Sequence, residues 1–409
     1  MCCLVARLLP PSRVQEAAGA LSRIQIIGQG YQRSRGIVAG RVADMQAAER
    51  TIRGVIAQAE RAADVTINEV FVTASFGPLH SDSFTASVDL PAGSVNARDL
   101  HRVMRAARDY AGRGGKPVLH AAPVGYTLGY ESGIIDPLGM IGDALKVDVH
   151  AVAVDPLPLR NLRHCIERSH VAVAEISAAA FTSGKAVITD AEAQAGVTCL
   201  DMGAGATGVS VFSGGHLVHC DTIGIGGNHI TNDIAEAFSL SLAEAERLKT
   251  LYTSVLPGPT DHHEAVMADE EEYDGHTDLP FAQLSKADLS DVARIRLEEM
   301  FAEVRDRLRA SGVMPMSGHR LVVTGGSSEL IGAAELAAHI FGKQPRLGRA
   351  RPVAGLSKQD VNPAFSAPLG LLVHLLEDDH SIGVSVTPEI IATSQGYLAR
   401  VGQWLRESF

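Results

Sequence analysis

The sequence predicts an α/β protein, and three observations lead to this class. Strand-like apolar runs alternate with segments of helical apolar spacing along most of the chain. Glycine-rich turns at residues 201–207 and 324–328 each follow an apolar strand directly. Residues 67–153 differ from their surroundings, because short strands and proline-containing loops are concentrated there. An α/β architecture with a distinct middle segment is therefore expected.

The individual elements follow from local patterns. Short apolar runs bounded by glycine or polar residues predict strands, and apolar residues three and four apart predict helices. Strands are predicted at residues 2–8, 24–32, 69–75, 146–155, 196–203, 208–214 and from 321. Helices are predicted at residues 45–63, 97–111, 159–170, 174–187, 229–240, 242–252 and about 288–310. An acidic loop is expected at 268–278, and the aperiodic stretch 376–395 is predicted to be a flexible linker.

Composition limits the class of partner and the compartment. The 409 residues carry a formal net charge of −11, which argues against a nucleic-acid partner because phosphate neutralisation needs a basic surface. The five cysteines are scattered without a CxxC pair, as in a reduced cytosolic protein. No run approaches the roughly 18 apolar residues of a transmembrane helix, and the N-terminus does not resemble a signal peptide. We expect a soluble cytosolic protein.

The first glycine turn is a candidate phosphate and metal site. In CLDMGAGATGVSVF an apolar strand ends at Asp201, and Gly203 and Gly205 then permit a tight turn. Glycine lets backbone N–H groups approach phosphate oxygens, and Thr207 is predicted to add a hydroxyl donor. Asp201 is predicted to hold Mg²⁺ through water. An ordinary glycine-rich hairpin remains the alternative.

The second turn, LVVTGGSSELIG, places Gly325 and Gly326 between a strand and a predicted helix whose N-cap is Ser327 or Ser328. A helix N-terminus with small residues suits an anion or an adenine ring packed on the backbone. Taken alone this signal is weak, because Gly-Gly often precedes a helix.

Two further pairs lie between these turns. Gly226 and Gly227 are predicted to open a strand-to-helix turn. Glu246 and Lys249 are three residues apart on a predicted helix and therefore share a face, from which they could reach ribose hydroxyls. A solvated surface ion pair is the alternative for Glu246 and Lys249.

The order DMGAG, GGNHITNDIA, ExxK and VVTGGSSELIG resembles the actin/Hsp70/sugar-kinase superfamily, and most closely the FtsA family of actin-like bacterial cell-division proteins. The SRGIVAGRVAD stretch (34–44), the AEISAAAF stretch, NPAFSAPLGLL (362–372) and the WLRESF terminus fit the same family. The resemblance covers essentially the whole chain.

The resemblance implies two actin-like lobes with ATP and Mg²⁺ in the cleft between them. The first lobe would be residues 1–66 and 154–190, the second 191–375, and 67–153 would be the small α+β subdomain peculiar to the family. It also implies self-assembly into filaments, contacts of 67–153 with other division proteins, and at most weak ATPase activity.

Two departures from the family pattern affect the nucleotide site. Family members carry a strand and a phosphate turn ahead of the segment matching CCLVARL, whereas Met1 is here followed at once by Cys2. We expect a misplaced start codon or a truncated chain rather than a natural nucleotide-free variant, together with an exposed sheet edge. Ala204 and Ala206 stand where the family has Gly and Thr. Both departures predict weak nucleotide binding, so no catalytic residue is assigned.

The last thirteen residues form an apolar stripe on a helical template. Such a short helix is marginal in water, so an interface must stabilise it. With the linker before it, the resemblance implies a membrane-targeting amphipathic helix at 396–409 that binds anionic lipids. Docking on the protein itself is the alternative. The predicted membrane contacts are Leu398, Arg400, Val401, Trp404, Leu405, Arg406 and Phe409.

The segment QLSKADLSDVARIRLEEMF (283–301) resembles the FtsA region that binds the C-terminal peptide of FtsZ. Lys286, Arg294 and Arg296 are predicted to pair with carboxylates of that peptide, and a solvated helix face is the alternative. The expected function is an adaptor that binds ATP, self-assembles and ties FtsZ to the inner face of the cytoplasmic membrane at the division septum. A small-molecule kinase or phosphatase of the superfamily, and a scaffold that has lost its nucleotide, remain alternatives.

Overall fold

A computed structural model describes residues 1–9, 20–90, 93–256, 258, 261–266, 284–357 and 361–377. The predicted acidic loop and the predicted membrane helix lie outside these residues, so both stay predictions. The predicted linker begins inside the last described helix, which continues to Glu377. None of the helices in the described ranges is long and apolar enough to span a membrane.

The described residues form seventeen strands and ten α-helices. The strands are β1 (Cys2–Leu8), β2 (Ile24–Tyr31), β3 (Ile37–Val38), β4 (Arg41–Val42), β5 (Glu69–Ala74), β6 (His80–Asp89), β7 (Val118–Leu128), β8 (Glu131–Ile134), β9 (Ala144–Ala153), β10 (Ala172–Ala178), β11 (Val197–Met202), β12 (Thr207–Ser213), β13 (His216–Ile223), β14 (Ala265–Val266), β15 (Leu284–Ser285), β16 (Arg320–Thr324) and β17 (Gln344–Leu347). The helices are α1 (Met45–Ala63), α2 (Ala97–Ala111), α3 (Pro156–Glu167), α4 (Ala179–Val187), α5 (Asp190–Ala195), α6 (Gly227–Phe238), α7 (Leu242–Tyr252), α8 (Lys286–Ala310), α9 (Ala333–Phe341) and α10 (Ser366–Glu377).

In the described residues the first lobe contains three separate two-stranded sheets, of which the β3–β4 hairpin is the smallest. β1 pairs antiparallel with β2, and β5 pairs parallel with β10. Helix α1 packs on β1 and β2 through an apolar face that includes Ile52, Val55 and Ile56. The Asp44 side chain caps its first turn by accepting from the Ala47 N–H at 3.0 Å. Among the described strands, β1 and β5 each have one partner, so each keeps a free edge.

The predicted helix 174–187 is wrong in its first half. Residues 172–178 form strand β10, and only residues 179–187 form helix α4. The strand exists because it pairs in parallel with β5, with Ala178 opposite Ala74. That partner lies about 100 residues earlier in the chain, so a local run of alanines cannot reveal it.

The second lobe is built on a five-stranded sheet of order β13-β12-β11-β16-β17. β11, β12 and β13 run antiparallel, whereas β11, β16 and β17 are parallel. Helices α6, α8 and α9 pack together on one side, where Leu297 and Phe301 of α8 are fully buried. α4 packs on the strands of both lobes and is buried almost all round. The lobes are therefore joined through a shared helical layer of α4 and α10.

A smaller subdomain is inserted between β5 and α3. Its antiparallel sheet has the order β6-β9-β7-β8, and α2 packs against it. Leu145, Val147 and Val149 of β9 and Val103 of α2 lie in its core. The predicted range 67–153 also includes β5, which the structure pairs with β10 of the first lobe. The inserted sheet itself begins at β6.

Candidate functional site

The turn between β11 and β12 presents backbone donors to solvent. Gly203 N–H donates to the Ala206 carbonyl at 3.0 Å, which closes the turn. At its tip, the N–H groups of Ala204 and Gly205 make no hydrogen bond to any described residue. Unpaired N–H groups on a glycine turn are suited to bind phosphate oxygens.

This turn rests directly on the start of α6. The Gly227 N–H donates to the Gly203 carbonyl at 3.0 Å, and the Asn228 N–H donates to the Ala204 carbonyl at 2.7 Å. A Cβ on Gly226 would lie 2.5 Å from the Gly203 oxygen, so only glycine permits this approach. The predicted strand-to-helix turn at Gly226 and Gly227 is therefore confirmed, because α6 begins at Gly227.

Asp201 lies at the end of β11 beside both glycine turns. Its Oδ2 accepts a hydrogen bond from the Ser183 hydroxyl at 2.6 Å, and a Cβ on Gly325 would lie 2.5 Å from its Oδ1. Burial raises the pKa of Asp201 from 3.8 to about 6, and the Ser183 hydrogen bond opposes that rise. No lysine or arginine within the described ranges pairs with this carboxylate. Its charge is therefore free to attract a cation.

The predicted pair Glu246 and Lys249 is not an isolated surface ion pair. Lys249 Nζ donates to Glu246 Oε2 at 2.7 Å, to Thr231 Oγ1 at 2.8 Å and to the Gly227 carbonyl at 3.2 Å. Burial raises the pKa of Glu246, but hydrogen bonds from Lys249 and Thr231 outweigh burial and leave that pKa below its usual value. The network thus places an ionised carboxylate and an ammonium at the start of α6.

The second glycine turn approaches the same point. The Ser327 hydroxyl donates to the Gly203 carbonyl at 3.1 Å, and the Gly325 N–H donates to the Pro363 carbonyl at 3.2 Å. The prediction of an α-helix capped by Ser327 or Ser328 is wrong. Residues 326–329 form a single 3-10 turn, and α9 begins only at Ala333 behind Gly332, which adopts a φ of 84°. The N-terminus of α9 therefore does not lie at this turn.

Thr207 does not face the turn as predicted. Its side chain is fully buried, and its hydroxyl donates to the Ile225 carbonyl at 2.8 Å. The strand register causes this, because Thr207 pairs with Met202 and its side chain projects to the face covered by α8. The hydroxyl is thus part of the core.

Sequence reasoning missed several residues around this site. Ser183 holds Asp201, and Thr231 links Glu246 to Lys249. Ser183 lies in no recognisable motif and reaches the site through the packing of α4. Thr231 lies within GGNHITNDIA, but nothing in that motif indicates its contact with Glu246. On the first lobe, the charge of Arg33 also favours the ionised form of Glu246. The tip of the β3–β4 hairpin lies beside Gly205.

The three predicted partner-binding cations all lie on α8, and all take part in ion pairs within the chain. Arg296 is held by two hydrogen bonds to Asp233 of α6, at 2.6 and 2.8 Å. The pairs are Lys286 with Asp261 and Glu264, Arg294 with Asp291 and Glu298, and Arg296 with Asp233 and Glu299. Between the two arginines Ile295 is 63% exposed. The structure thus shows charge pairing on a helix face that also carries an exposed apolar residue.

The two-lobed architecture matches a known class. The solved structure of a PilM-PilN type IV pilus biogenesis complex aligns with 91% of this chain and 96% of that chain, with a TM-score of 0.60 at 17% identity. That likeness concerns the fold alone. Two lobes around a shared helical layer, with glycine turns meeting at one edge of the second sheet, define an actin-like protein, as predicted.

Sequence comparison identifies the family. One family model, cell division protein FtsA, matches residues 198–370, and another, the SHS2 domain inserted in FtsA, matches residues 77–153. Cell division protein FtsA of Agrobacterium fabrum is 40% identical, with all of this chain and 92% of that protein aligned. The Escherichia coli K12 protein of the same name is 28% identical over 94% of this chain and 92% of its own length. The chain belongs to the FtsA family of cell division proteins, which confirms the predicted resemblance.

Proposed function

We propose that this protein is a division adaptor that binds ATP and Mg²⁺ in the cleft, self-assembles, and ties FtsZ to the cytoplasmic membrane. One observation carries the nucleotide part of the proposal. The Gly203 carbonyl accepts from both the Gly227 N–H and the Ser327 hydroxyl, so three segments separated by up to 124 residues meet at one point. Convergence of glycine turns from distant segments is what a nucleotide cradle requires.

The residues present fit ATP with Mg²⁺, the ligand that the family implies. The unpaired N–H groups of Ala204 and Gly205 would receive phosphate oxygens, and Asp201 would hold Mg²⁺ through water. Bound Mg²⁺ supplies neutralisation of phosphate charge. Glu246 and Lys249 would face the ribose. Gly325, Gly326 and Ser327 would form the wall for the adenine ring.

Lys249→Met tests this assignment. Three hydrogen bonds hold the ammonium at the start of α6. A further hydrogen bond from this charged group to a ribose oxygen would contribute roughly 1.5–3 kcal/mol to ATP binding. ATP affinity, measured by calorimetry with Mg²⁺, is expected to fall by about tenfold or more. Lys146→Met, at an exposed position on β9, is the matched control. Equal affinities in the two variants, or no ATP binding by the parent protein, would contradict the proposal.

For the FtsZ contact, α8 offers the exposed Ile295 between Arg294 and Arg296. Carboxylates of an FtsZ C-terminal peptide would compete with Asp291 and Glu298, whose exposed pairing with Arg294 is weak. Binding of a fluorescent peptide is expected to drop about tenfold for Ile295→Asp. Ile141→Asp, on the inserted subdomain, should bind as the parent does. Loss of binding in both variants would point away from α8.

The membrane contact is proposed for residues 396–409, which lie outside the described residues. Its support is the apolar stripe with flanking arginines in the sequence. Co-sedimentation with vesicles of anionic lipid should be lost when residues 397–409 are removed and weakened by Trp404→Glu. Equal pelleting of the full and shortened chains contradicts this assignment. Attachment through these residues would place the protein on the inner face of the cytoplasmic membrane at the division site.

Self-assembly and contacts with other division proteins are proposed for the inserted subdomain. Its surface carries several well-exposed apolar side chains, namely Tyr130, Ile135, Leu138 and Ile141. Apolar side chains concentrated on one subdomain are typical of a protein–protein contact. Tyr130→Glu with Ile135→Glu should reduce sedimentation of filaments in the presence of ATP. Unchanged sedimentation places the contact elsewhere.

A further inference from the structure

The tip of the β3–β4 hairpin of the first lobe holds an alanine in a backbone conformation that usually needs glycine or asparagine. Ala39 and Gly40, its two tip residues, both adopt left-handed backbone conformations, with φ of 46° and 76°. This is a two-residue hairpin turn whose backbone angles are favourable for glycine and strained for alanine. A non-glycine residue is held in this region only when its surroundings fix it. The contacts of the tip therefore need an explanation.

On one side the tip faces the proposed phosphate turn of the second lobe at close range. A Cβ on Gly205 would lie 3.3 Å from the Ala39 nitrogen, and a Cβ on Gly224 would lie 3.6 Å from the Ala39 Cβ. The hairpin tip is thus about one methyl group away from the turn whose Ala204 and Gly205 N–H groups are unpaired. A ligand that binds these N–H groups would enter next to Ala39.

On its other side the same tip touches the root of the inserted subdomain. A Cβ on Gly40 would overlap the carbonyl oxygen of Ser75, so the two backbones are in direct contact. The next residue, Arg41, lies with its guanidinium 2.5 Å from where a Cβ on Gly77 would be. Residues 75–79 join β5 of the first lobe to β6 of the inserted sheet.

We propose that the β3–β4 hairpin couples the phosphate turn to the inserted subdomain. A phosphate at Ala204 and Gly205 pushes on Ala39, and the displacement passes through the Gly40–Ser75 contact and through Arg41 to the root. Because backbones in contact cannot compress, movement of the tip must move one neighbour or the other. The natural trigger rests on the proposed nucleotide site, but the mechanical link itself can be tested without nucleotide.

Gly205→Val is the test, because its side chain enters the space beside Ala39 as a ligand would. The backbone φ at Gly205 lies outside the left-handed region, so valine adds bulk without forcing that conformation. In the full chain without nucleotide, amide exchange at residues 37–42 and 75–81 should rise by about threefold or more. Gly112→Val, where an added Cβ meets nothing within 4 Å, should leave both segments unchanged. If exchange becomes faster at 37–42 but does not change at 75–81, the coupling is overturned. The same holds if exchange changes at neither segment.

Arg41→Ala gives a second and milder perturbation. Arg41 is exposed, so the variant should fold. When it is combined with Gly205→Val, the rise in amide exchange at 75–81 should become smaller, and the rise at 37–42 should stay the same. Addition of ATP and Mg²⁺ to the parent protein should then change exchange in the same two segments. Failure of ATP to bind would defeat the proposed function and leave the Gly205→Val result standing. Binding of ATP with no change at 75–81 overturns the coupling alone.

Discussion

Asp201→Asn tests whether the second lobe keeps a buried charge for a ligand at the expense of its own stability. Asp201 accepts from the Ser183 hydroxyl at 2.6 Å and has no cationic partner in the described part of the chain. Burial raises its pKa from 3.8 to about 6. Asparagine has nearly the same shape and keeps an acceptor for Ser183, but it has no charge to bury. The variant should therefore be more stable than the parent when no ligand is bound.

The pKa shift fixes both the size and the pH window of this effect. Between pH 3.8 and about 6 the folded state binds more protons at Asp201 than the unfolded state does. The stability that the folded state gains by binding this proton is therefore fully present below pH 3.8 and is lost as the pH rises through about 6. At about 1.4 kcal/mol per pKa unit, the cost of the charge at pH 7.5 reaches at most about 3 kcal/mol. Asp201 as a whole residue is half-buried, so we expect a gain of about 2 kcal/mol for Asp201→Asn.

Urea unfolding at two pH values provides the assay. The free energy of unfolding of Asp201→Asn should exceed that of the parent by about 2 kcal/mol at pH 7.5 and by about half as much at pH 5. Ser183→Ala is the matched control, because it removes a hydrogen bond to the charge and should destabilise the protein at pH 7.5. Added ATP with Mg²⁺ should stabilise the parent but not Asp201→Asn. A variant less stable than the parent at pH 7.5, or a gain as large at pH 5 as at pH 7.5, refutes the reasoning.

Three further predictions concern stability. Burial lowers the pKa of His150 from 6.5 to about 4, so His150 by itself should cost the parent about 2 kcal/mol between pH 7.5 and 5. Relative to the parent, His150→Gln should therefore gain about 2 kcal/mol in the free energy of unfolding on going from pH 7.5 to 5, measured by urea unfolding at both values. Arg346 donates to Glu192 at 2.5 and 2.7 Å, so Arg346→Met should lower the urea midpoint by the equivalent of about 2 kcal/mol. Arg320→Met, whose guanidinium lies 3.7 Å from the same carboxylate, should lower it little. A Cβ at Gly370 of α10 would overlap a carbonyl oxygen of α4. Gly370→Ala should therefore lower the free energy of unfolding by about 3 kcal/mol in urea unfolding. A smaller change would mean that the two helices separate easily.

The elements that were predicted well are those with local signals. The bounds of α1 and α2 agree with the prediction, since apolar residues recur at helical spacing and Asp44 supplies a cap for α1. The strand β9 was also expected, because its alternating apolar residues are typical of one buried face. None of these features depends on residues far away in the chain.

The errors share a different cause. β10 is a strand because of its pairing with β5, and the alanine-rich sequence around Ala178 equally suits a helix. The sequence at Ser327 is typical of a helix start, yet the chain forms a single 3-10 turn there, and α9 begins only after Gly332. In both places tertiary contacts decide between two local structures of similar intrinsic preference.

The site shows the same division at the level of single residues. Glycines at 226 and 325 are required by close approach, since a Cβ at either position would lie 2.5 Å from an oxygen of another segment. Such a position accepts only glycine, so the turns could be recognised from the glycines in the sequence. Which side chains point into the site depends instead on strand register and helix packing. Thr207, one residue past its turn, is therefore in the core, whereas Ser183, in a helix with no motif, holds the carboxylate of Asp201.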